Sequence, residues 1–454
     1  MMTGPNDGVA TEAAPTLTLL GSAEPQGLRH LAGRLATRLA EGRTPAEVAA
    51  AAVPESGAPP AGPYVLAAVA ATRVKLTAEL RAAADGVPSA NLVFGERAAG
   101  DSAADERGPV WCFGGHGGQW PGMGRDLLRK ASPFARAFDE VDDVIAAEGG
   151  FSVRRLLEGG DPDLFDRIDL IQPTVFAYQV ALATWLTEAR AEPPAVVVGH
   201  SLGELAAAAF SGALSLPDAV RVVCLRSRLL ERTRGRGAMV SVGAPVHQIQ
   251  PHLAASGRLS VAVYAAPAET VLAGEGADVD ALVSRLEPAG VRCRRVRIDA
   301  ASHSHLVDDV LGEFEAGLAG IRPRPPRVQW VSTVTAEPGS TEPATMGGDR
   351  AADAGYWVRN LRQPVRLVQA VRSLAARGHG AFVEIGPHGL LTAPIQQTLA
   401  GTGNRRVLVL GACRRGVAER LSVMRTLGAL WVGGVGAELP ALTAIGPVIR
   451  LQAR

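Results

Sequence analysis

A serine flanked by glycines at two positions on either side, Gly199-His200-Ser201-Leu202-Gly203, closes the apolar run Ala195-Val196-Val197-Val198. The run reads as a buried strand, and Gly-x-Ser-x-Gly behind such a strand is the pattern of a nucleophile elbow. The two glycines let the chain turn sharply from strand into helix, which leaves the Ser201 hydroxyl projecting at the turn. The backbone N–H of Leu202 then points where an oxyanion would form. This is an acyl-transfer pattern. Whether the acyl group passes to water or to another carrier stays open at this level.

A serine hydroxyl needs a base to attack near neutral pH. His200 adjoins the nucleophile and is expected to point away from it. His303, in Asp299-Ala300-Ala301-Ser302-His303-Ser304, and His388, in Glu384-Ile385-Gly386-Pro387-His388, each follow a predicted strand. Strand ends beside a crevice are where α/β folds keep their chemistry, so both histidines are candidates. The string Gly114-Gly115-His116-Gly117-Gly118-Gln119 follows a third predicted strand. Its glycines let backbone N–H groups approach a ligand, as a second oxyanion donor requires, although a plain tight turn reads the same way. It lacks the Gly-Lys-Ser/Thr ending of a phosphate loop. Arg226 lies in the largely apolar helical run Val222-Val223-Cys224-Leu225-Arg226-Ser227-Arg228. It must snorkel to solvent or find a carboxylate, and a structural role is the expectation from the pattern alone.

The elements that would position these groups follow from periodicity. Residues 1–14 read as a disordered tail, and 15–107 as a small α/β unit. That unit has a strand at Leu17–Leu20, a helix with Leu28, Leu31, Leu35 and Leu39 on one face, a loop at 54–63, a helix near 72–84 and a strand at 90–94. A larger α/β body starts with Pro109-Val110-Trp111-Cys112-Phe113 and spans 108–235 and 300–400, with later strands at 328–334 and 381–385. Between its two parts, 236–299 reads β-α-β-β-α-β, a ferredoxin-like insertion whose last strand is set at 291–298. From 401 to 454 the expectation is an irregular tail with one helix near 416–430.

Composition limits the function classes. With 454 residues, 47% hydrophobic and 20% charged, a folded chain of two or three domains is expected. A formal net charge of +1 gives no reason to expect nucleic acid or an anionic membrane as partner. Lys75 and Lys130 are the only lysines. Cys112, Cys224, Cys293 and Cys413 are widely spaced, form no metal pattern and read as free thiols, so no metal site is expected. The start carries no basic and apolar leader, and no stretch approaches the roughly 18 apolar residues of a membrane helix. A cytoplasmic location is the expectation.

Together these pieces resemble the malonyl-CoA:acyl carrier protein transacylase family, specifically the acyltransferase domains of modular polyketide synthases. Phe113-Gly114-Gly115-His116-Gly117-Gly118-Gln119 stands where the family has Phe-Pro-Gly-Gln-Gly-Ser-Gln, and the block 199–204 matches the nucleophile motif. Gly237-Ala238-Met239, Tyr356 through Arg362 and Phe382 through His388 are similar to further family blocks. The resemblance implies an α/β-hydrolase-like large subdomain with a ferredoxin-like small one, flanked by linker regions at 15–107 and 401–454. It implies Ser201 as nucleophile, His303 as base and His388 as structural. The backbone N–H groups of His116 and Leu202 become the oxyanion hole. Arg226, by its spacing from Ser201, becomes the grip on a malonyl-type carboxylate, and Gln119, Gln172, Met239, Ala300 and Ser302 become substrate contacts. No bound cofactor is implied: acyl-CoA is the substrate, and the acceptor is phosphopantetheine on an acyl carrier protein.

Departures from the family sharpen the expectation. Ala300 begins the block that in malonyl and methylmalonyl enzymes opens with the larger His or Tyr, which points to a larger α-substituent such as ethylmalonyl. Asp169-Leu170-Ile171-Gln172-Pro173 leans to branched extenders, whereas Leu202 leans to malonyl. Ala265 replaces an asparagine that many relatives keep. With no ketosynthase before residue 1, a discrete enzyme acting in trans is expected. Two other readings compete. One is a serine hydrolase or thioesterase with Asp353 and His379 or His388 completing a triad; the other is a non-catalytic scaffold that docks carrier proteins.

Overall fold

The computed structural model describes residues 14–50, 62–97, 107–129, 132–160, 162–190, 193–296, 300–337, 339–403, 407–435 and 447–452. Residues 1–13 of the expected N-terminal tail and most of the loop at 54–63 lie outside them. The chain forms two compact units, Met1–Ala103 with Arg420–Arg454, and Ala104–Glu419.

In the larger unit a parallel sheet runs in the order Gln329–Val331, Val196–Gly199, Val110–Phe113, Ala381–Ile385, Leu408–Gly411. The three central strands are buried throughout and, Glu384 apart, apolar without alternation, as strands covered on both faces must be. Phe113 pairs with Gly199 on one side and Ile385 on the other. Because the strands are parallel, the elbow, the glycine loop at 114–118 and the turn at 386–388 all leave the same sheet edge. That edge is where open α/β sheets place ligands. The helix Ile168–Arg190 and the helix Leu216–Glu231, capped by Ser215, pack on this body.

The inserted segment builds a second sheet from Ala238–Val242, Leu259–Ala266, Glu269–Gly274 and Cys293–Arg295. Its spatial order is second, third, first, fourth, with every neighbouring pair antiparallel. Helices Val246–Ser256 and Gly276–Leu286 accompany it, around a core that includes Val240, Val242, Leu272, Val279 and Leu282. The sheet is tied to the body where Tyr264 N–H donates to Val365 O and Val365 N–H donates to Ala262 O, each at 2.9 Å.

In the smaller unit the strand order is Val448–Gln452, Thr16–Ser22, Tyr64–Ala70, Leu92–Glu96. Helices Pro25–Ala40 and Arg73–Asp85 cover it, with Leu28, Leu31, Leu35 and Leu39 buried as their spacing predicted.

Four expectations are corrected here. The tail at 401–454 is not irregular: Leu408–Gly411 adds an edge strand to the main sheet, and Val448–Gln452 pairs in parallel with Thr16–Ser22. The break therefore falls near 419, not at 401. The strand Tyr64–Ala70 is missing from the sequence reading because it is alanine-rich and buried almost throughout, which removes the alternation that signals a strand. Two strands are also shorter than expected, Gln329–Val331 rather than 328–334 and Cys293–Arg295 rather than 291–298. Of the latter, 297 and 298 lie outside the described residues.

Candidate active site

The elbow is built by close approach. A Cβ on Gly199 would stand 2.2 Å from Glu204 Cα, and one on Gly203 would stand 2.0 Å from Phe113 O, so neither position admits a side chain. Between them Ser201 adopts φ 54°. Only one other non-glycine residue among those described has positive φ, and it is His303, at 61°. Such backbone conformations persist only where the surroundings impose them. Around Ser201 they do. Its carbonyl accepts from Asn360 Nδ2 at 3.2 Å and from Glu204 N–H at 3.1 Å. The buried Glu204 carboxylate in turn binds Thr333 N and Oγ1, each at 2.7 Å, and Tyr356 OH at 2.8 Å. Burial pushes Glu204 up to about 7 against these hydrogen bonds.

His303 is held by its own N–H donating to Leu361 O at 3.0 Å. Its Nδ1 lies 2.8 Å from the Gln363 carbonyl and its Nε2 2.7 Å from Ser201 Oγ. A carbonyl can only accept, so Nδ1 carries the proton and Nε2 presents its lone pair to the serine hydroxyl. Burial, with the Arg226 charge nearby, pushes His303 down to about 3, so the imidazole is neutral at physiological pH. The pair can deprotonate the serine, with a backbone carbonyl in the orienting place that a triad gives to a carboxylate.

Arg226 sits on the helix Leu216–Glu231 and is only 2% exposed. Its Nη1 donates to Gln172 Oε1 at 2.5 Å and its Nη2 to Ser201 Oγ at 3.2 Å, while Nε is buried without a partner. No ion pair is formed by Arg226 among the described residues. Burial pushes it down to about 10, which still leaves it charged. A buried cation without a counter-ion is costly, and a ligand carboxylate beside Ser201 would relieve that cost.

The cavity over Ser201 brings together His116, Gln172, Leu202, Arg226, Met239, Ala300, Ser302 and His303. Among the described residues the backbone N–H groups of His116 and Leu202 make no hydrogen bond, which leaves both available to an oxyanion. Gln119, expected as a substrate contact, does not line this cavity. It lies in the outer cleft with His388 and Ala265, and its amide bridges Gly117 N and His116 Nε2. The triad alternative does not assemble, because Asp353 caps the helix Ala354–Arg362 through Tyr356 N and His379 does not line the cavity. Sequence reasoning missed Asn360, Gln363, Glu204 and Thr333. Asn360 lay inside the block 356–362 noted for resemblance; a backbone carbonyl such as that of Gln363 leaves no mark in residue type. Among the described residues no cluster of His, Cys, Asp or Glu could hold a metal, and no helix is long and apolar enough to cross a membrane.

Comparison with known proteins gives consistent results. The family model described as acyl transferase domain matches residues 110–436. A mycocerosic acid synthase-like polyketide synthase of Mycobacterium tuberculosis is 38% identical over 452 residues, covering 98% of this chain and 20% of that protein. The chain thus spans about a fifth of that relative's length. The acyltransferase domain from module 8 of the salinomycin polyketide synthase superposes with a TM-score of 0.85 at 34% identity, covering 96% of this chain and 99% of that one. The acyl transferase domain of SpnD, in complex with 2-(pent-4-yn-1-yl)malonyl, gives a TM-score of 0.79 at 29% identity and covers 96% and 98%.

Proposed function

The chain belongs to the acyl transferase domain family and is an acyltransferase, and from that premise we propose that it carries a carboxylated extender unit from acyl-CoA, through a Ser201 ester, to the phosphopantetheine thiol of an acyl carrier protein in polyketide assembly. The observation that carries this reading is the neutral His303 against Ser201 Oγ, with a buried, unpaired Arg226 reaching the same oxygen. In the first half-reaction His303 Nε2 takes the hydroxyl proton as Ser201 Oγ bonds to the thioester carbonyl. The backbone N–H groups of His116 and Leu202 hold the oxyanion, the C–S bond breaks, and the coenzyme A thiolate takes the proton from His303. In the second, the carrier thiol gives its proton to His303 and attacks the ester, and Ser201 Oγ leaves with that proton. Arg226, oriented by Gln172, binds the distal carboxylate in both. Met239 and Ser302 line the acyl pocket. The larger unit is read as an α/β-hydrolase-like subdomain with a ferredoxin-like insertion, and the smaller unit as flanking linker.

For the extender, the support is Ala300, buried and lining the cavity at the position where the family resemblance implies a larger His or Tyr in malonyl and methylmalonyl enzymes, and the substituted malonyl group of the SpnD complex. Malonyl-, methylmalonyl- and ethylmalonyl-CoA offered in equal competition are expected to leave the ethylmalonyl mass as the main acyl-enzyme. Substituting Ala300→Tyr should shift loading toward the smaller units. Exclusive malonyl loading by the unaltered protein would sink the enlarged pocket.

A further inference from the structure

His116 supplies more than its backbone. Gly117 N–H donates to Gln119 Oε1 at 2.7 Å, which fixes the amide so that Gln119 Nε2 faces His116 Nε2 at 2.8 Å. An amide NH2 group only donates, so His116 Nε2 must accept, and a neutral imidazole that accepts at Nε2 carries its proton on Nδ1. That Nδ1 is buried and has no partner among the described residues. Burial and the Arg226 charge hold the ring near a pKa of about 4, so the N–H is that of a neutral imidazole. His116 lines both the cavity over Ser201 and the outer cleft, whereas Ser201 and Arg226 line only the cavity. A thioester reaching from the cleft to Arg226 passes the residues common to both spaces, which are His116, His200, Met239 and Val263, and of these only His116 carries the N–H assigned to the oxyanion. Nδ1 is also the ring nitrogen nearer the main chain, on the same residue as one of the two backbone N–H groups that the acyl-transfer reading assigns to the oxyanion.

We propose that the His116 imidazole donates its Nδ1–H to the thioester carbonyl oxygen, as a side-chain member of the oxyanion hole alongside the backbone N–H groups of His116 and Leu202. The proton stays on the ring; the bond strengthens as the oxygen gains charge. This rests on the acyl-transfer reading above. Gln119 is then a positioning residue that sets the tautomer.

The test is single-turnover acylation of the full chain by malonyl-CoA and by acetyl-CoA. His116→Ala and His116→Gln, which lack an N–H at the Nδ1 position, are expected to slow both substrates about 10-fold or more. His116→Asn places an amide N–H at that position and should retain most of the rate. Nitrogen-15 NMR of the unaltered protein, which depends on no variant, should find His116 protonated at Nδ1. Equal rates for wild type and His116→Ala, a loss confined to malonyl-CoA, or protonation at Nε2 would each overturn the proposal. Failure of the wild type to acylate at all would instead overturn the acyl-transfer reading, and this inference with it.

Discussion

Replacing His303 by alanine is expected to slow acylation of Ser201 by about 10²- to 10⁴-fold, the usual contribution of a positioned general base. The reason is geometric. His303 Nε2 is 2.7 Å from Ser201 Oγ, and its Nδ1 is committed to the Gln363 carbonyl, so the ring is held with its lone pair on the serine hydroxyl. The loss should appear in the rate of acyl-enzyme formation, followed by intact mass after rapid quench, with circular dichroism confirming the fold. The same histidine sets the pH dependence of the unaltered protein. The base works when neutral, and burial, then Arg226, lower its pKa from the ordinary 6.5 to about 3. Lowering favours the neutral form, so the acid limb of kcat/KM, which reports the free enzyme, should fall well below pH 6.5. A limb centred at 6.5 or above would contradict the buried neutral imidazole, and a His303→Ala protein that forms and hydrolyses acyl-enzyme at the normal rate would favour a hydrolase.

Arg226→Ala is expected to shift substrate preference more than any other single change. Removing one partner of a buried, hydrogen-bonded charge pair costs about 2–5 kcal/mol, so discrimination for malonyl-type over acetyl substrates should fall about 30-fold or more. The ratio is the proper readout because Arg226 also touches Ser201 Oγ at 3.2 Å. A general effect on the nucleophile cancels between the two substrates, and the carboxylate effect does not. Measuring acylation rates with malonyl-CoA and acetyl-CoA for both proteins gives this ratio directly. An unchanged ratio would refute the carboxylate grip.

How much was legible differs by element. The elbow was readable because its glycines answer steric demands, with Glu204 and Phe113 leaving no space for a Cβ. Four of the five main-sheet strands were readable as largely apolar runs, and the insertion as a change of rhythm; the edge strand Leu408–Gly411 was not. His303 and His388 were not separable by residue pattern, since both follow strands; the fold sets one 2.7 Å from Ser201 and the other in the outer cleft. Arg226 read as structural because a helical run shows an arginine's apolar neighbours but not the absence of a counter-ion. The pairing of Val448–Gln452 with Thr16–Ser22 spans nearly the whole chain, and no local signal reports it. The sequence shows His116 in a glycine loop but not its tautomer, which follows from the Gln119 amide that faces the ring.

The central claim is that Ser201 passes its acyl group to a thiol rather than to water. The direct measurement is to isolate the acyl-enzyme and divide it between buffer and a carrier protein bearing phosphopantetheine, then follow both masses with time. Persistence of the ester in buffer, with rapid appearance of acylated carrier in the other half, is the predicted result. Loss of the ester at the same rate in both halves, with free acid and no acylated carrier, would contradict it.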